Sequence, residues 1–326
     1  MNLKNKLWIS SIICIFINYN IRLSDPVYFL GHFQWIQSQK IYLWQVIIPL
    51  TLAISLILSK QKLKFYKNDY ALILLVCLLH INFLLKLGLI SLIFLLKLIP
   101  KQIIKKGLKI SLYTLTIIAL GQIMMQQHLN LTWLGEIQFS NHANFNLFNF
   151  IRPYGLSDHP NLFALQILII SLYLDSKKLI PLILTLSVSL QNIIAYSFYN
   201  HKRVKIILCM LIVGFSLKNP WIHPKSYTDR ILQNLPNQSQ NIKLKPWEHI
   251  PKHHIYGYLY DKKNFLALAS LLIWISLIYK QNKKTAGLIL ILSLLDHQLL
   301  SQTQGLNAII LSNHFVNIRC KKLKQS

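Results

Sequence analysis

The residues best placed by type and spacing to do chemistry lie midway along the chain. They form the stretch Phe150-Ile151-Arg152-Pro153-Tyr154-Gly155-Leu156-Ser157-Asp158-His159-Pro160-Asn161, which leads directly into an apolar run over 162–174. Proline suits a first helical position, and Asp158 or His159 can cap, so a helix is predicted to open at Pro160 with free backbone amides at its start. Such an end attracts anions. Arg152 precedes the turn at Gly155, close enough to converge on the same spot, and guanidinium is the natural bidentate partner of phosphate. The chemistry expected here is capture of a phosphate or pyrophosphate. A plainer reading stays open, in which Asp158 and Pro160 merely start a helix while Arg152 reaches to lipid headgroups.

A second concentration lies late in the chain, over 218–263. It carries Lys218, Lys225, Arg230, Lys243, Lys245 and Lys252 against Asp229 and Glu248. A basic surface of this kind calls for an anionic ligand or, more simply, adheres to anionic lipid headgroups at about 1 kcal/mol per residue. The nine carboxylates of the chain are scattered, with no D-x-D or D-D-x-x-D pair to hold a divalent cation. The four cysteines, Cys14, Cys77, Cys209 and Cys320, include no CxxC and no pair in one loop. Neither a metal site, a disulfide framework nor any cofactor is expected.

Arg152, Gly155 and His159-Pro160-Asn161, opening an apolar segment midway along the chain, resemble the R-x-x-G…H-P-N signature of the O-antigen ligase and polymerase family. Those membrane glycosyltransferases move glycans from undecaprenyl-pyrophosphate carriers. The resemblance implies a pyrophosphate site at Arg152, His159 and Asn161. It also implies a histidine motif near the end of the late loop, where this chain reads His253-His254-Ile255-Tyr256-Gly257-Tyr258-Leu259 and His253 falls on the family histidine. On that likeness His253 is the catalytic general base, with His254 a further candidate beside it. The chain departs from the family at the half-span break, which reads Ser187-Val188 where Ser-Arg is usual, and after the loop histidine, where His254 replaces asparagine. Arg230 or Lys252 would then supply the cation that the break lacks, with Ser187 reaching the same cavity.

The elements that must position these residues are apolar. Hydrophobic residues make up 53% of the 326-residue chain and charged residues 13%, and the mean hydropathy is +0.41. That balance predicts an all-α, polytopic helical membrane protein. Runs over 41–58 and 108–125 approach the roughly 20 residues needed to cross a bilayer. The run over 7–17, preceded by Lys4 and Lys6, has no small-residue cleavage site after it and reads as a retained first span. The pair over 70–85 and 87–98 reads as a hairpin, with Lys86 near its outer turn and Lys97 snorkelling inward. The stretch 179–199 has basic residues on both flanks, so two short half-spans broken near 185–189 are expected, or one continuous helix with back-bonded hydroxyls.

Net charge is +26, yet most of the excess falls in short clusters between apolar runs, at 60–67, 101–109, 177–178, 202–205, 280–284 and 319–324. By the positive-inside rule these are cytoplasmic, and nucleic acid is not an expected partner. The count is about twelve crossings in a single integral membrane domain over 1–326, both termini cytoplasmic, in a bacterial inner membrane. External segments fall at 19–40, 126–161 and 218–263, the last a large periplasmic loop. The expected activity is a metal-independent transfer of glycan from undecaprenyl-pyrophosphate to a lipid A-core or glycan acceptor in lipopolysaccharide biosynthesis. Two alternatives remain: a lipid-phosphate-sugar transferase using Asp25, and a flippase or transporter of a lipid-linked or anionic substrate. For transport the buried polar candidates are His80, Gln122 and Asp296-His297.

Overall fold

Apolar runs bounded by asparagine and proline fold here as helices. The computed structural model describes residues 2–17, 19–22, 27–29, 32–34, 40–58, 63–79, 81–136, 146–147, 150–151, 153–157, 160–174, 264–295 and 303–323. Among them are nine α-helices: α1 Leu3–Cys14, α2 Leu43–Leu58, α3 Lys67–Leu78, α4 Phe83–Leu98, α5 Lys101–Met125, α6 Pro160–Leu174, α7 Phe265–Gln281, α8 Lys283–Leu295 and α9 Thr303–Leu323. The all-α expectation holds for the bulk of them. The exceptions are short antiparallel pairs. β1 (Asn20–Arg22) pairs with β4 (Lys40–Tyr42), enclosing the hairpin of β2 (Val27–Phe29) and β3 (His32–Gln34), and β5 (Asn146–Leu147) pairs with β6 (Phe150–Ile151). The segments over 19–40 and 126–161 therefore carry short strand pairs that hydropathy gave no sign of.

Helix boundaries follow local caps. Asn82 accepts a hydrogen bond from the Leu85 amide at 2.7 Å and Asn264 one from the Ala267 amide at 3.1 Å, so α4 and α7 each start with a satisfied amide. The hairpin expected over 70–85 and 87–98 is present but shifted. Its first helix ends at Leu78 and its second starts at Phe83, because Asn82 caps inside what reads as one apolar run. Lys86 lies in the first turn of α4 and donates to the Cys77 carbonyl at 2.7 Å.

Among the described residues one helix, α5, is long and apolar enough to cross a membrane. The stretches Leu43–Leu58, Leu162–Leu174 and Phe265–Gln281 are apolar but shorter. About twelve crossings are not supported at that number. Among the described residues, apolar runs of little more than a dozen residues end at caps and turns before reaching spanning length. The half-span break near 185–189 and the late loop over 218–263 lie outside the described residues.

The helices share one apolar core. α1 packs on α5 and α2, α2 on α4, α3 on α4 and α7, and α6 between α5 and α9. Where α3, α4, α7 and α9 meet, the core is interrupted by a polar cluster. Asp69, fully buried, accepts from Lys97 Nζ at 2.6 Å and from the Tyr66 amide at 2.7 Å through one oxygen. Its other oxygen accepts from Asn313 Nδ2 at 2.7 Å and Asn317 Nδ2 at 2.9 Å. Asn68 Nδ2 donates to both asparagine oxygens, and the Trp274 indole N–H donates to Asn313 Oδ1 at 3.0 Å. Lys97 thus does not simply snorkel to headgroups; it ends on a carboxylate inside the protein.

Candidate functional site

The described part of the expected pyrophosphate site is the turn over 153–157 and the helix α6 that follows. Pro160 opens α6, as its fixed φ predicts. Gly155 has φ +58°, a left-handed conformation that L-residues with a side chain adopt at a cost. Its position is also crowded: a Cβ there would lie 2.7 Å from the ring of Phe163, which is fully buried in the first turn of α6. The glycine of the R-x-x-G pattern is thus required twice over, by backbone conformation and by the approach of α6. Ser157 completes the turn, its amide donating to the Tyr154 carbonyl at 2.9 Å and its hydroxyl to Gln166 Oε1 of α6 at 2.8 Å.

What holds the turn comes from α5. Gln122, fully buried near the end of that helix, accepts through Oε1 from the amides of Tyr154 at 3.1 Å and Gly155 at 2.9 Å. Its Nε2 donates to the Gly155 carbonyl at 2.9 Å and to Glu136 Oε1 at 2.8 Å. One side-chain amide thereby replaces the strand or helix partners that this stretch of backbone lacks. Glu136, itself buried, is held by neutral donors. Oε1 also accepts from the Leu129 amide at 2.9 Å and the Tyr154 hydroxyl at 3.3 Å, and Oε2 accepts from the Leu131 amide at 2.8 Å. Burial, reinforced by the adjacent Glu136 carboxylate and the hydrogen bond to it, pushes the Tyr154 hydroxyl well above the usual tyrosine range. Tyr154 therefore remains a protonated donor at any physiological pH.

Gln122, considered above as part of an ion path, has its four hydrogen-bonding directions engaged in this clamp. Glu136 and Tyr154 were missed by sequence reasoning. The one available signal was that Glu136 is one of only two glutamates in the chain and stands in a segment otherwise poor in charge.

The remaining expected site residues are not brought together among the described residues. Arg152, His159, Ser187, Arg230, Lys252, His253 and His254 lie outside the described residues, as do Asp25, His80 and Asp296-His297. Asn161 is the second residue of α6, and its side chain too lies outside the description. Among the described residues no three His, Cys, Asp or Glu side chains are grouped so as to hold a metal ion. Compared with family models, curated proteins and solved structures, the chain matches none.

Proposed function

We propose that this chain is a multi-span glycosyltransferase of the bacterial inner membrane, of the O-antigen ligase or polymerase type. In this reading it moves a glycan from undecaprenyl-pyrophosphate to a lipid A-core or glycan acceptor. The observation that carries it is the order Arg152-x-x-Gly155…His159-Pro160-Asn161, with Gly155 left-handed against Phe163 and Pro160 opening α6. Support for a membrane setting comes from the composition, from the length of α5 and from the large apolar side chains that α2, α5 and α7 leave exposed. About twelve crossings, with the loop over 218–263 periplasmic, belong to the same proposal.

The residues would divide the work as follows. His253 takes the proton from the acceptor hydroxyl as its oxygen bonds to the anomeric carbon. The bond from that carbon to the pyrophosphate oxygen breaks, and its electron pair leaves on undecaprenyl-pyrophosphate. Arg152, Arg230 and Lys252 stabilise the departing charge, aided by the helix amides after Pro160. In cells whose surface polysaccharide depends on the chain, His253→Ala is expected to cut transfer by about 10²–10⁴-fold, the range typical of a lost general base. Arg152→Ala is expected to do likewise. A ligase defect shows as loss of all capped chains on a lipopolysaccharide gel, a polymerase defect as caps of a single repeat. An unchanged glycan profile in both variants overturns the proposal.

A further inference from the structure

The loop that holds the signature turn has a second face. Glu136 draws the backbone of Leu129 and Leu131 inward, and Leu129 folds back onto α5 at Gly121, where a Cβ would lie 2.8 Å from Leu129 Cδ1. Asn130 at φ +59° and Gly135 at φ +87° reverse the chain on either side of a single 3-10 turn, Thr132–Leu134. Trp133 at its centre is 67% exposed, although the ties at Leu129 and Leu131 pull the loop toward the protein.

Helix α5 leads to this loop with a continuous apolar stripe. Tyr113, Ile117, Leu120 and Met124 follow one another at helical spacing and are all exposed, Met124 by 83%. At the start of the stripe Lys109 Nζ lies 5.8 Å from the centre of the Tyr113 ring. From Lys109 to Met125 a helix rises about 24 Å, close to the roughly 30 Å of a bilayer's hydrocarbon core. Lysine and tyrosine stand at one end of that length and tryptophan just beyond the other, the arrangement of residues that favour the two membrane–water interfaces.

We propose that the Trp133 loop seats in the headgroup boundary of the leaflet opposite the lysine clusters, and so sets the depth of the signature turn at the level of lipid phosphates. The occupant of this surface is the bilayer interface itself. Glu136 is the link, since the same carboxylate that shapes the Trp133 loop also bonds Gln122 and Tyr154, which fix the turn. The inference rests on the membrane setting of the proposed function but not on its chemistry.

The test uses the full chain labelled with fluorotryptophan in lipid nanodiscs. Trp133→Phe identifies the Trp133 resonance among the seven tryptophans by its disappearance. Nitroxide lipids labelled near the headgroup are expected to take more intensity from that resonance than lipids labelled at the chain terminus. Glu136→Ala should narrow the difference, as the loop loses its tie. If Trp133 answers to neither nitroxide while other tryptophans do, the loop lies away from the bilayer and the inference is wrong. If no tryptophan responds, the membrane setting fails and the inference fails with it.

Discussion

Gly155 carries two constraints in one residue, and they separate by mutation. A side chain there meets the left-handed backbone cost, about 1–2 kcal/mol, and the overlap with Phe163, about 1–3 kcal/mol. Gly155→Ala is therefore expected to destabilise the protein by about 2–5 kcal/mol, seen as a lower thermal unfolding midpoint in detergent. Adding Phe163→Leu should recover the steric part and leave the backbone part. A double variant no better than the single would show that crowding is not involved. Gly155 and Pro160 were legible in the sequence because what they do is local: a residue without Cβ marks a turn, and a residue with fixed φ starts a helix. Glu136 was not legible. Its partners Gln122 and Tyr154 are 14 and 18 residues away, and no spacing rule joins a helix end, a loop carboxylate and a turn before the fold does.

At the scale of elements, helices were readable from apolar runs, while their ends and their polar seams were not. Hydropathy treats 70–85 as one run because it is blind to an asparagine that caps better than it continues, and it has Lys97 snorkel inward because it cannot see a carboxylate one helix away. The pairing of α3 with α4 through Asp69 and Lys97 has a measurable signature. Both side chains are buried, at 0% and 7% exposure, so removing one charge strands the other. Lys97→Met is expected to cost about 3–5 kcal/mol of stability in thermal or denaturant unfolding. Replacing both, as Asp69→Asn with Lys97→Met, should recover much of that loss, because no uncompensated charge then remains in the core. Equal costs for the single and double variants would mean that Asp69 is held by its amide partners alone.

For the molecule as a whole, the asymmetric placement of charge is the strongest organising feature. A net charge of +26 gathered into short clusters predicts which side each helix end faces. A fluorescent protein fused after Ser326 should fluoresce, and a periplasmic phosphatase fused after Glu136 should be active. The opposite pair of results would invert the chain and place the signature turn in the cytoplasm. The buried cluster around Asp69 also bears on how such a chain is made. Asn68 and Asp69 find their asparagine partners 244–249 residues later, in α9, the last described helix. At ordinary synthesis rates that separation corresponds to a wait of roughly 10–50 s. Throughout it α3 has an aspartate already bound to Lys97 but still lacking two of its four donors. Completion of α9 is thus the event that closes this cluster, and a chain stopped short of it would present an open carboxylate to whatever proofreads nascent proteins.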